Sequence, residues 1–184
     1  TKISGIVIKT PSLHIDSIAS GGGSIIKYEN MRFIVGPESA GSYPGPVCYR
    51  NQGPLTLTDC NLILGRIIGQ AFPKLFGING NQNISKALSI HNFKLLLKKI
   101  KKDYKVYKNI YQIAESFIRV AVENMSNAIK KVTTHKGYDT RNYNLLIFGS
   151  ASGQYACKVA ENLGLKKIIF HPLSGLLSAY GVGI

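Results

Sequence analysis

The sequence predicts a mixed α/β protein with a helical insertion and, near the C-terminal end, a parallel βαβ unit. Three observations carry this. Residues 1–36 hold short β-branched runs between turn formers, and residues 58–137 repeat apolar side chains at three- and four-residue steps. Residues 143–184 run from an apolar strand through a small-residue turn and a helix to a second apolar strand. Strands separated by a helical crossover run in the same direction, so the last pattern predicts a parallel pair.

Taken in order, Ile6-Val-Ile8, Ser24-Ile-Ile-Lys-Tyr28 and Arg32-Phe-Ile-Val35 predict three strands. The Glu29-Asn30 pair between the last two is short enough for a hairpin, with Met31 blurring its boundary. Residues 37–57 are rich in Gly and Pro, which propagate neither helix nor central strand, and read as a long loop. Thr58-Asp59 is placed to cap a short helix through Ile67, and Ser85 to cap a second helix to about Lys101. The third helix carries Ile113, Ala114, Phe117, Ile118, Ala121, Val122, Met125, Ala128, Ile129 and Val132 on one face and ends near Gly137. Tyr143–Phe148 and Lys167–Phe170 are then expected as buried strands, with a helix to about Leu163 between them.

Composition narrows the function classes. The 184 residues include 23 Lys+Arg and 9 Asp+Glu, a formal net charge of +14, and are 45% hydrophobic. That apolar content argues against disorder, and no apolar run is long enough to span a bilayer, so no membrane partner is expected. The densest basic stretch, Lys98 to Lys108, closes a helical pattern where cations favour the negative end of the helix dipole. It reads as a solvated helix terminus that at most assists an anionic nucleotide; nucleic acid is not the expected partner. Cys48, Cys60 and Cys157 are an odd number without Cys-x-x-Cys spacing, which fits a reducing, cytoplasmic setting and no metal site. His14, His91 and His135 have no partner spacing that argues for a metal. A chain that opens on Thr1 and stops within an apolar stretch reads as part of a longer coding frame.

Chemistry is expected first at Gly149-Ser150-Ala151-Ser152-Gly153. Small residues let a ligand approach the backbone, and the N–H groups of the following helix point beyond the sheet's carboxyl edge, where a phosphate or nucleotide fits. A turn that merely packs is the alternative. Gly21-Gly22-Gly23-Ser24 is either a flexible turn or a place of close backbone approach. Glu38 and Ser39 place a carboxylate and a hydroxyl in the Gly/Pro-rich stretch, and Asp59 is a helix cap or a site residue. His171, followed by Pro172, reads as a structural hydrogen-bonding residue.

The ordered motifs Ala19-Ser-Gly-Gly-Gly-Ser24, Val35-Gly-Pro-Glu-Ser-Ala-Gly41, Pro44-Gly-Pro-Val-Cys-Tyr-Arg50, Leu57-Thr-Asp-Cys-Asn-Leu-Ile-Leu-Gly-Arg66 and His171-Pro-Leu-Ser-Gly-Leu-Leu-Ser-Ala-Tyr-Gly181 resemble the hydantoinase A/oxoprolinase family. Phe72-Pro-Lys-Leu-Phe-Gly77 and Gly137-Tyr-Asp139 look most like its 5-oxoprolinase branch. The resemblance spans essentially the whole chain. It implies part of an actin-like, Hsp70-like ATPase (ribonuclease H-like) fold, with residues 143–184 as its nucleotide-binding half, in an enzyme that uses ATP and Mg²⁺ to open a cyclic amide.

For the 5-oxoprolinase branch the substrate is 5-oxo-L-proline and the product L-glutamate. The resemblance also implies that the family's phosphate-binding Gly/Asp motifs lie upstream of Thr1. The missing part of the same enzyme, a partner subunit or a second copy is then the expected protein partner, and little activity is expected of the chain alone. Where the family's last nucleotide-contacting turn reads Phe-Gly-Gly-Ala-Gly, this chain has Phe148-Gly-Ser-Ala-Ser152, and Tyr155 stands where a His is often found. The two serines fit if small size is what the turn needs and are strained if it needs φ > 0. A degenerate, non-catalytic relative serving as a structural or partner-binding module is the alternative reading.

Overall fold

A computed structural model describes residues 2–3, 6–7, 18 and 20–183. Strands β1 (Lys2–Ile3) and β2 (Ile6–Val7) form a short antiparallel rung; the rest of the first expected strand, Ile8, and His14 lie outside the described residues. Strands β3 (Ser24–Glu29) and β4 (Arg32–Ser39) form an antiparallel hairpin. Its two-residue turn is Asn30-Met31, both at positive φ (49° and 59°), which matches the right-handed twist of the flanking strands. Met31 therefore belongs to the turn. Strand β4 also runs past Gly36 to Ser39, into the stretch expected as loop, because Ser39 still pairs with Ser24 across a register shift that absorbs Pro37.

Helix α1 (Leu57–Ile63) begins one residue before the expected cap. Thr56 is the N-cap, and Asp59 lies at the third helical position, where its carboxylate accepts from the Thr56 N–H (2.9 Å). The helix ends at Ile63 instead of Ile67. Helix α2 (Lys86–Asp103) is capped by the Ser85 hydroxyl, which accepts from the Leu88 N–H, and α3 (Ile110–Val132) by Asn109 with Gln112. Ile113, Ala114, Phe117, Ile118 and Ala121 of α3 are fully buried against the hairpin and the other helices, so α3 is the spine of the core. Phe33 of the hairpin meets Phe117 edge to face at 4.9 Å.

The last third forms the expected unit: β5 (Leu145–Ile147), α4 (Ala156–Leu163) and β6 (Ile168–Phe170), the two strands parallel with Leu146 opposite Ile169. A short helix, α5 (Leu177–Val182), follows. The strands are not buried on both faces as expected. Ile147 is buried, whereas Leu146 and Ile169 are about half exposed, because helices cover one face of the pair and no described residue covers the other.

One buried carboxylate joins the middle of the chain. Asp59 has no exposed surface, and it accepts five hydrogen bonds. Oδ1 takes the Cys48 N–H (2.9 Å) and the Ser89 hydroxyl (2.7 Å). Oδ2 takes the N–H groups of Val47 (3.2 Å) and Thr56 (2.9 Å) and the Thr56 hydroxyl (3.1 Å). The 47–49 turn, α1 and α2 are thereby tied to a single side chain. Asp59→Asn, which puts an amide donor where donors already converge, is expected to cost more than about 3 kcal/mol in urea unfolding. Ser89→Ala, which removes one donor of five, is expected to cost about 1 kcal/mol.

Candidate functional site: a cleft between two glycine-rich turns

The Gly21–Ser24 turn enters β3, and its carbonyls are held from two sides. Gly22 O accepts from the N–H and the hydroxyl of Thr58 (2.9 Å each), and Gly23 O from the Ala40 N–H (2.9 Å). A Cβ on Gly22 would lie 2.8 Å from Thr58 Oγ1, and one on Gly23 2.9 Å from Ser39 Oγ. These glycines are there for close approach. Beyond Gly22 the nearest wall is Ala151, at 3.8 Å from the position a Cβ would take, so the turns at 21–24 and 149–153 meet although about 130 residues separate them.

Between the turns opens a cavity of about 400 Å³. Met125, Ala128, Ile129 and Val132 of α3 form one side, Leu145 and Ile147 of β5 the floor, and Tyr155, Ala156 and Val159 of α4 the other. The apolar stripe of α3 thus has two uses: its first half is core, and its second half lines the cavity. Ser20, on the remaining wall, is 2% exposed, and its hydroxyl has no hydrogen-bond partner among the described residues.

Within the 149–153 turn only Gly149 takes a left-handed conformation (φ 85°). Ser150 and Ser152 do not, so both serines are accommodated by size. The Ser152 hydroxyl donates to the carbonyls of Phe148 and Gly149 and closes the turn on itself. The N–H groups of Ser150, Ala151 and Ser152 meet no backbone carbonyl among the described residues and remain available beyond the carboxyl end of β5.

Tyr155 is 1% exposed, and its hydroxyl accepts from Asn61 Nδ2 of α1 (2.9 Å). Burial pushes the Tyr155 phenol well above its ordinary value, so it stays neutral. From Asn61 a polar chain continues through Arg66 to Glu115 of α3, which also receives the Lys158 ammonium of α4. Burial would raise the Glu115 carboxyl, but the hydrogen bond from Lys158 and the charges of Arg66 and Lys158 outweigh it and hold the group below its ordinary 4.5. This chain fixes the height of α4, and with it the 149–153 turn, against α1 and α3.

The sequence-predicted residues divide between the cleft and elsewhere. The two glycine-rich turns come together, and Ser39 joins them from behind: its hydroxyl lies 3.4 Å from Gly23 O and accepts from the Gly41 N–H at 3.2 Å. Glu38 is exposed and ion-paired with Lys27 (2.7 Å). Asp59 is locked in its five hydrogen bonds. His171 Nδ1 accepts from the Leu173 N–H at 3.1 Å, a local structural bond. Cys48 and Cys60 are buried, their thiols pushed up first by burial and then by the Asp59 charge, and Cys157 is exposed. Among the described residues no three His, Cys, Asp or Glu side chains come close enough to hold a metal ion. Sequence reasoning passed over Ser20 and the Asn61–Tyr155 pair, because a lone Ser beside glycines and an Asn on a helix carry no periodic signal.

A parallel strand pair with a small-residue strand-to-helix turn, and a second glycine-rich turn across a cavity, defines an α/β protein of the class that receives ligands beyond the carboxyl ends of its strands. Within that class the chain belongs to the hydantoinase/oxoprolinase family, whose model matches residues 1–184. An uncharacterized protein of Schizosaccharomyces pombe is 47% identical over 99% of this chain and 14% of its own length. The 5-oxoprolinase of Dictyostelium discoideum is 43% identical over 100% of this chain and 15% of its own length. The crystal structure of an ATP-dependent caprolactamase from Pseudomonas jessenii superposes with a TM-score of 0.73 at 30% identity, over 88% of this chain and 22% of that one. The mixed α/β fold expected from the sequence is therefore shared with an ATP-dependent enzyme, and the chain spans about one seventh of the length of these two relatives.

Two outcomes check the site. Gly22→Ala is expected to cost about 1–3 kcal/mol in chemical denaturation, since the added methyl meets Thr58 inside a closed turn; Gly21→Ala, where a Cβ meets nothing within 4 Å, should cost less. For Glu115 the folded state favours the charged form. Its contribution is therefore complete above about pH 4.5 and is lost as pH falls below that through the lower folded value. The stability difference between the parent and Glu115→Gln, followed by urea unfolding against pH, should be level from neutrality to about 4.5 and shrink below it.

Proposed function

We propose that the chain is the part of an ATP-dependent cyclic-amide hydrolase, of the 5-oxoprolinase kind, that forms one wall of the nucleotide site. The observation that carries this reading is the convergence of the two glycine-rich turns on one cavity. The cleft fits a nucleotide by its own features: about 400 Å³ of largely apolar space, a buried hydroxyl at Ser20 without a partner among the described residues, and open N–H groups at the start of the α4 segment. The apolar walls from α3 and α4 would take the base, Ser20 would bond a polar edge, and the 150–152 N–H groups would face the sugar-phosphate side. Residues 143–184 form the nucleotide-binding half in this reading.

When bound, ATP supplies a phosphoryl group for the lactam oxygen, which turns a poor leaving group into a good one and opens the carbonyl to water. This chain's residues orient and exclude water: Tyr155 and Val159 wall the cavity on the α4 side, and the Asn61–Tyr155 and Glu115–Lys158 contacts hold the turn at a fixed height. The described residues do not fit a directly ligated Mg²⁺, since Glu38 is paired with Lys27 and Asp59 is enclosed by donors. The names of the similar proteins, 5-oxoprolinase and caprolactamase, support a lactam as substrate, and 43% identity to a 5-oxoprolinase favours 5-oxo-L-proline.

The full-length protein incubated with ATP, Mg²⁺ and 5-oxo-L-proline should yield glutamate and phosphate in equal amounts, while the 184-residue chain alone should yield neither. Glutamate formation by the chain alone would overturn the division of labour proposed here. A second reading, a non-catalytic partner-binding module, is favoured by the half-exposed Leu146 and Ile169 strand face. It predicts no turnover by the full-length protein.

A further inference from the structure

We propose that a second cleft, built around Arg50 in the Gly/Pro-rich segment, binds a small monocarboxylate with an apolar body. The inference goes beyond the nucleotide reading and does not depend on it. The cleft encloses about 550 Å³ and is lined by Tyr43, Arg50, Asn51, Gln52, Gly77 and Ile78, among others. A smaller depression on the other side of Arg50 adds Asn79, Gln82 and Leu88. Neither lining contains an aspartate or a glutamate.

The arginine is half-buried and takes part in no ion pair among the described residues. Its Nε donates to the Asn83 carbonyl at 2.8 Å, which fixes the plane of the guanidinium while its terminal nitrogens meet no acceptor among the described residues. A guanidinium held in plane with open terminal N–H groups matches the two oxygens of a carboxylate.

The backbone adds donors of the same polarity. Arg50 and Gln52 lie at φ 69° and 60°, with Asn51 between them outside the left-handed region. Left-handed residues within a turn are the setting in which successive N–H groups face one concave side and favour anions. The N–H groups of Asn51 and Gln52 donate to no backbone carbonyl among the described residues. Left-handed conformations at two non-glycine residues are costly, and they persist here in a segment pinned by the hydrogen bonds from Arg50 N to Val47 O and from Gly77 N to Tyr49 O.

The number of charges selects the anion. One guanidinium among neutral amides balances a single negative charge, and no lysine or second arginine lines the cleft to balance a phosphate dianion. Tyr43 and Ile78, 82% and 89% exposed, flank the opening and offer apolar surface to the body of the ligand.

The test uses benzoate as probe, benzamide as its neutral isostere and inorganic phosphate as the competing anion, titrated calorimetrically into the full-length protein. Benzoate should bind, and benzamide and phosphate should not. Arg50→Lys, which keeps the charge and loses the planar fork, should weaken benzoate about tenfold, and Arg50→Gln should abolish binding. Should Arg50→Gln fail to fold, Tyr43→Ala at the exposed rim should weaken benzoate without moving the melting temperature. The proposal is overturned if benzamide binds as well as benzoate, if phosphate binds more tightly, or if neither the Arg50 nor the Tyr43 variants change benzoate affinity. Nucleotide turnover is no part of the readout, so this result and that of the lactam assay are independent.

Discussion

The structure depends on a negative charge held without a positive partner. Asp59 lies in the interior, where an isolated carboxylate is costly, and its charge is solvated by three backbone N–H groups and two hydroxyls instead of water or a cation. Each donor belongs to a segment that would otherwise end in an unsatisfied polar group: the 47–49 turn, the start of α1, and the first turn of α2. A single side chain therefore sets the positions of three elements and of the Gly/Pro-rich stretch before them. Leu57, Cys60 and Phe93, all without exposed surface, pack into the geometry this fixes.

The cleft follows from the frame. With α1 placed, Thr58 reaches the Gly22 carbonyl and Asn61 reaches Tyr155, so one face of a seven-residue helix touches one glycine-rich turn and the residue that leads into α4 just past the other. Gly22 lets Thr58 close tightly on the first turn, and the small residues of the 149–153 segment, Ala151 above all, let the second turn lie beside it. Helix α3 completes the site by being longer than the core it fills: where the hairpin stops, its apolar stripe continues as wall.

Much of this was legible in the sequence, because periodicity reports burial directly. The stripe on α3, the Ser85 cap and the strand–helix–strand order of the last third each follow from local pattern, and the ordered Gly, Pro and Glu motifs carry the family. Other features depend on contacts that no local pattern records. The shift of the cap from Thr58 to Thr56 reflects Asp59 facing back toward its own helix start. The extension of β4 to Ser39 reflects its pairing with Ser24, which overrides the turn-forming character of Gly36-Pro37. The half-exposed β5–β6 pair departs from expectation for a related reason, since an apolar strand sequence reports what could be buried and not what covers it. The meeting of residues 22 and 151 is legible only as two suspicious glycine-rich turns, and the cavity between them only in three dimensions.

The bond between Asn61 and Tyr155 spans 94 positions of the chain. A ribosome delivers α1, α2 and α3 well before α4, so throughout that interval the Asn61 amide sits at the edge of a nearly complete helical core with its acceptor not yet made. The helical block can collapse early, since the contacts among α1, α2 and α3 close over shorter loops, but the Asn61 amide meets its phenol acceptor only when the tyrosine docks. A chain interrupted before Tyr155 leaves the Asn61 amide of the helical core without its phenol acceptor.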